Sequence, residues 1–180
     1  MDYSRVLQLL NEVKNRIKSK TISRKATGRT SDEELDDFVY TAPSDALWKE
    51  AWRVTEGLIL LMRDEIRKRG ADFLLVTLTN PIQVHPDASV RKHFTERWGI
   101  TDFSYPDERI KSLGEREGFA VLNLAQNLGS YAERHKTFLH GFEPNPGGGH
   151  WNKEGHRVAG KAIAEKVCQD VIANFRPSPR

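Results

Sequence analysis

The sequence predicts an α/β fold built on a short parallel sheet, and three observations carry that prediction. Helix-type and strand-type patterns alternate along residues 45–180, the order that lays parallel strands side by side with helices packed over them. Two short stretches, residues 73–79 (Phe-Leu-Leu-Val-Thr-Leu-Thr) and Phe119–Leu124, are nearly continuous apolar runs, the pattern of strands buried on both faces. Strand number is the third observation. Two such runs, or three with a short extended piece at Thr137–Leu139, are too few for a doubly wound sheet and leave bare edges. The expected architecture is therefore a partial three-layer α/β/α sandwich with a short parallel sheet.

Two regions divide the chain. Residues 1–44 hold an amphipathic helix over residues 3–18, with Val6, Leu9, Leu10, Val13 and Ile17 at helical spacing, followed by a long polar loop or insertion. Residues 45–180 carry the α/β pattern. Ser44 or Asp45 can cap a helix running to about Arg69, with Leu47, Ala51, Val54, Leu58, Leu61 and Ile66 on one side as its expected core face and Gly70 as its stop. Shorter helices are expected at Val90–Trp98, at Pro106–Glu117 before Gly118, and at Ala125–Arg134. A glycine-rich loop, Pro144–Gly149, then leads into a final helix over about Lys153–Phe175, whose apolar positions are Val158, Ala162, Ala164, Val167, Cys168 and Val171.

Composition removes several function classes. The chain has 180 residues, a net charge of +3 and a mean hydropathy of −0.61, which suits one domain with a sizeable core. No apolar run is long enough to span a membrane. Met1-Asp2 leads straight into a charged amphipathic segment with no leader pattern, so a cytoplasmic setting is the default expectation unless coding sequence precedes Met1. The single cysteine, Cys168, allows no internal disulfide and is expected to be a buried structural thiol. Eight basic residues (Arg5, Lys14, Arg16, Lys18, Lys20, Arg24, Lys25, Arg29) occupy residues 1–30, and five acids follow at 32–37. Without interleaved aromatics, and with an acidic run directly behind, this reads as a solvated segment rather than a nucleic-acid arm. His135 and His140, and likewise His150 and His156, lack the spacing of a metal-binding pair. No cofactor motif is present.

Chemistry concentrates in Pro146-Gly147-Gly148-Gly149-His150-Trp151-Asn152-Lys153-Glu154-Gly155-His156. Asn152 can cap the last helix through its side-chain oxygen. His150 then stands at the mouth of that helix, where the positive end of the dipole disfavours an imidazolium and so suits a proton acceptor. His156 reads as a helix-surface histidine. The competing reading of His150 is a loop histidine that only packs locally. Asn80-Pro81-Ile82-Gln83-Val84-His85-Pro86 follows a strand's C-terminal end, where α/β sheets place their sites. Asn80, Gln83 and His85 are thus candidate cleft residues, a proline-stiffened turn being the alternative.

The block His150-Trp-Asn152-x-x-Gly155-His156, with the Ala-rich helix behind it, resembles the last conserved block of SGNH/GDSL hydrolases. The likeness extends less specifically upstream, through Ala51-Trp52-Arg53-Val54 and Thr79-Asn80-Pro81, and covers roughly residues 45–175. It implies hydrolysis of a small-molecule ester by a serine nucleophile, with His150 as general base and Gly149, Trp151, Asn152 and Gly155 as its supporting loop and cap. Three departures accompany it. The family's Gly-Asp-Ser motif is missing, its oxyanion glycine and Gly-x-Asn-Asp block are missing, and the positions where it places an aspartate before the histidine are Gly147 and Gly148. The resemblance therefore implies the C-terminal half of such a domain, inactive alone. An orienting group for His150 would be a backbone carbonyl or an acid such as Glu143. The alternative is a non-catalytic half-domain or scaffold that pairs with a complementary N-terminal half, or with itself.

Overall fold

In the computed structural model, residues 38–174 are described. The expected helix over residues 3–18, the basic stretch and the acidic run all lie outside the described residues. From Tyr40 onward the described chain belongs to one compact unit.

Local chemistry sets each element. Helix α1 (Ala46–Lys68) starts where the Asp45 side chain accepts from the Trp48 N–H at 2.8 Å, and Gly70 with φ 72° follows its end. Strand β1 (Leu74–Thr77) comes next, then α2 (Ala88–Trp98), capped by Asp87 and stopped by Gly99. Helix α3 (Tyr105–Glu117) carries Pro106 in its first turn and ends at Gly118. Strand β2 (Ala120–Asn123) runs straight into α4 (Leu124–His135). Strands β3 (His140–Phe142) and β4 (Asn145–Trp151) precede the last helix, α5 (Lys153–Asn174).

Mixed helix and strand, with one parallel pair, places the unit in the expected α/β class. β1 and β2 pair in parallel from Leu74↔Ala120 to Thr77↔Asn123. Their residues are only half-buried and Leu78 is 67 % exposed, so the strand expected over 73–79 is shorter and wetter than its apolar run implies. The main core joins Val84, Leu124, Leu128, Ala132, Leu139, Val158 and Ala159, with Val76, Leu122 and Trp151 packed against it. No helix among the described residues is long and apolar enough to cross a membrane.

Three expectations are corrected. The glycine-rich segment Pro144–Gly149 is a strand rather than a loop. β4 pairs antiparallel with β3, but the register runs Gly141↔Pro146 and then His140↔Trp151, so Gly147–His150 form a bulge between those pairs. Gly147 and Gly149 sit at φ 87° and 69°, which cannot hold a regular pleat. The stripe read as the core face of α1 points to solvent: Leu47, Val54, Leu58 and Leu61 are exposed, while Trp52 and Ile59 are buried. Trp52 is buried because Arg109 stacks over it at 4.7 Å and Tyr105 meets it edge-on, with Glu56 pairing Arg109 at 2.6 Å. Cys168, also expected inside, is exposed.

The hairpin and α5 approach so closely that residue 155 must lack a side chain. A Cβ there would overlap the Leu139 carbonyl oxygen and lie 3.1 Å from the Trp151 Cβ. Gly155→Ala is expected to destabilise the fold by about 1–3 kcal/mol, read from urea unfolding; an unchanged midpoint would mean that the hairpin and helix yield freely.

Candidate functional site

Asn152 organises the segment around His150. Its side-chain oxygen accepts the Gly155 N–H at 2.9 Å, capping α5 as the sequence predicts, and its amide donates to the Phe138 carbonyl at 2.8 Å. Its own N–H donates to the Leu139 carbonyl at 3.0 Å. The helix start is thereby tied to the two residues that lead into β3. Two residues before this cap, His150 lies exposed in the β4 bulge. Glu143 is exposed as well. His156 is exposed and meets Trp151 edge-on at 5.6 Å.

The hydroxyl–imidazole pair of this region is made by other residues. Thr79 and His140 are 7 % and 3 % exposed, with Thr79 Oγ1 3.0 Å from His140 Nε2. His140 Nδ1 is 2.8 Å from the Gly149 carbonyl oxygen, and Trp151 Nε1–H donates to Thr79 Oγ1 at 2.8 Å. A carbonyl only accepts, so Nδ1 carries the proton and Nε2 of the neutral ring accepts. The chain of donors then runs Trp151 Nε1–H to Thr79 Oγ1–H to His140 Nε2. Burial holds the His140 ring below its ordinary 6.5; the Gly149 carbonyl opposes this and the neighbouring His150 charge adds to it. A hydroxyl giving its proton to an imidazole that a third group orients is the geometry of an activated nucleophile. Here both partners are sealed from substrate, so the network fastens β1 to the hairpin.

A second polar cluster opens to solvent at the C-terminal ends of β1 and β2. A cleft of about 610 Å³ is lined there by Gln83, Phe103, Ser104, Asp107, Asn123 and Gln126, among others. Asp107 is 7 % exposed on α3. Gln83 Nε2 reaches Asp107 Oδ2 at 3.4 Å, and the Asn123 amide donates to the Asp107 backbone carbonyl at 3.0 Å. Thr77 Oγ1–H donates to Asn123 Oδ1 at 3.1 Å. Burial raises the Asp107 carboxyl above its ordinary 3.8; the neighbouring Thr77 hydroxyl and the Gln83 amide oppose the rise and the Glu108 charge adds to it.

The three expected cleft residues separate. Gln83 lines the Asp107 cleft. His85 lines another hollow, of about 490 Å³, with Pro86, Asp87, Lys136 and Phe138; its Nδ1 accepts the Asp87 N–H at 3.1 Å. Asn80 closes the turn, its N–H donating to Gln83 Oε1 at 2.8 Å and its amide to the Tyr40 hydroxyl at 3.1 Å. His150 lines neither hollow. Nothing in the sequence singles out Asp107, because an acid in the first turn of a helix is ordinary dipole chemistry. Thr79 and His140 were equally hidden, although a histidine directly after Phe138-Leu139 is a signal for burial. No family model, curated protein or solved structure matches the chain.

Two measurements probe these clusters. Thr79→Val leaves a buried ring nitrogen without its donor and the Trp151 N–H without its acceptor, and is expected to cost about 1–3 kcal/mol, with Thr79→Ser retaining most of the stability; equal melts for the two variants would remove the network from the fold's supports. For Asp107 the sign follows from its raised value. The folded state holds a proton that the unfolded state releases above 3.8, so this group's contribution is full below that pH and is lost as pH rises through the folded value. Asp107→Asn is therefore expected to be more stable than the native chain near pH 7, with the gain shrinking near pH 4; a loss of stability near pH 7 would mean that the ionised carboxylate is the favoured form.

Proposed function

We propose that this chain carries the C-terminal part of an SGNH/GDSL-type serine hydrolase, with His150 as the general base for hydrolysis of a small-molecule ester. The supporting observation is Asn152, which caps α5 and ties it to Phe138 and Leu139, so that an accessible imidazole stands just ahead of a helix N-terminus. That is the placement the His150-Trp-Asn152-x-x-Gly155 block of such enzymes implies. The parallel β1–β2 pair, with α3 packed on β2 and α4 on β1, agrees with part of a three-layer sandwich. In this reading the serine and its oxyanion donors come from a complementary segment, and the chain alone turns over no ester. Gly149, Trp151 and Gly155 hold the imidazole's strand and helix in place.

A second reading is favoured by one observation. The cleft at the strand ends, where α/β sheets hold ligands, contains Gln83 and Asp107 but not His150. A binding or scaffold role without catalysis would use that cleft, or a partner chain, and leave the imidazole idle.

Complementation separates the two. Co-expression with a Gly-Asp-Ser-bearing segment encoded directly upstream of the Met1 codon is expected to yield p-nitrophenyl acetate turnover that His150→Ala lowers by about a hundredfold or more, general base catalysis contributing on that order. An upstream sequence without such a motif, or turnover indifferent to His150→Ala, defeats the hydrolase reading.

A further inference from the structure

The outward face of α1 has a pattern that the unit's own packing does not use. Leu47, Ala51, Val54, Leu58 and Leu61 recur at alternating steps of four and three residues, the 3.5-residue period of a seam made with another helix rather than the broader stripe of a helix lying on a core. All five are exposed; Leu47 is 79 %, Leu58 55 % and Leu61 66 % exposed, with Met62 beside them at 50 %. The other side of α1 is already occupied, through buried Trp52 and Ile59, the Glu56–Arg109 pair, and Arg63 and Arg67 donating to the Glu117 and Gly118 carbonyls. Gly57 is the second observation. A glycine inside a helix costs about 1 kcal/mol relative to alanine, yet a Cβ at this position would meet nothing within 4 Å. Nothing in the unit requires glycine there, and its absence of a side chain leaves room beside Val54 and Leu58 for a second helix to come close.

We propose that two copies of this chain associate through α1, antiparallel and two-fold symmetric about Val54. The seam is self-complementary in that register. Leu47 and Leu61 lie seven residues to either side of Val54, so each leucine faces the other in the second copy. Leu58 falls against Ala51, large against small, and Glu50 comes beside Gly57 rather than beside another acid. A patch that matches itself is what an isologous interface requires. Covering these side chains on both copies removes on the order of 1,000 Å² from water, the lower bound for a specific interface and the range of a weak, reversible dimer. This inference is independent of the hydrolase reading.

Sedimentation velocity on the full chain tests it, with Cys168→Ser as background because that thiol is exposed. The expected result is a monomer–dimer equilibrium over micromolar to submillimolar concentrations. Leu58→Glu with Leu61→Glu, at positions already facing water, is expected to weaken it about a hundredfold by burying charge at the seam while leaving the far-UV circular dichroism unchanged. Val54→Cys is expected to cross-link two copies on mild oxidation. Leu47→Cys is not, since the two symmetry-related positions lie about 20 Å apart along the helices. A chain that stays monomeric throughout, a dimer that survives the double substitution, or cross-linking at 47 equal to that at 54 overturns the proposal. The first of these would assign the seam to a different partner or to another part of the same chain.

Discussion

One hydroxyl joins the two sheets. Thr79, just past β1, gives its proton to His140 on β3 and accepts one from Trp151 on β4. The Gly149 carbonyl fixes the direction of the whole chain, because it leaves the imidazole only one tautomer. The consequences pass outward along the backbone. Trp151 directly precedes Asn152, and Asn152 caps α5 while holding Phe138 and Leu139. The position of His150 is therefore set by buried contacts of the residues around it rather than by contacts of its own side chain. The bulge that exposes it also lends the carbonyl that secures its buried neighbour.

The parallel pair presents a different economy. Its strands are four residues long and half-buried, yet the polar side chains at their C-terminal ends are closely organised. Thr77, Asn123, Gln83 and Asp107 form one linked set beneath the cleft. An acid kept inside such a set against the cost of desolvation is more often found at a working site than in a plain core. The hairpin site and the cleft are thus two separate polar investments within one small unit, with Gln83 belonging to the second.

Most of the element order was legible because its punctuation is local: Ser44 or Asp45 and then Asn152 offer caps, Gly70 and Gly118 stop, and apolar runs mark β1 and β2. What escaped depended on contacts distant in sequence. The α1 stripe satisfies helical periodicity wherever it points, and contacts distant in sequence, the stacking of Arg109 on Trp52 and the bonds of Arg63 and Arg67 to the Glu117 and Gly118 carbonyls, decide that the opposite face turns inward. Gly147–Gly149 carry the same permissive backbone in a loop as in a bulged strand, so the pairing of the flanking Pro146 and Trp151 with Gly141 and His140 could not be read from them. Cys168 follows the helical spacing of α5 into solvent for the same reason. At the site, the Asn152 cap could be read from one short motif, whereas the Thr79–His140 pair spans sixty-one positions.

The two histidines of the hairpin divide between them what a catalytic base needs. His140 has a hydroxyl donor at Nε2 and an orienting acceptor at Nδ1, but no path for a substrate. His150 is exposed, while the nearest groups that would orient it are spent or missing and Glu143 stands exposed in the turn between the strands. The Gly149 carbonyl is engaged by His140, and the two positions where an acid would precede His150 are Gly147 and Gly148. A base whose tautomer is not held loses much of its advantage even when correctly placed. On the proposed hydrolase reading, a segment that completes this site would therefore have to bring an acceptor for His150 Nδ1 as well as a nucleophile. One that supplied the serine alone would leave the imidazole free to turn, so the demand on a complementary chain is for two groups at fixed positions rather than one.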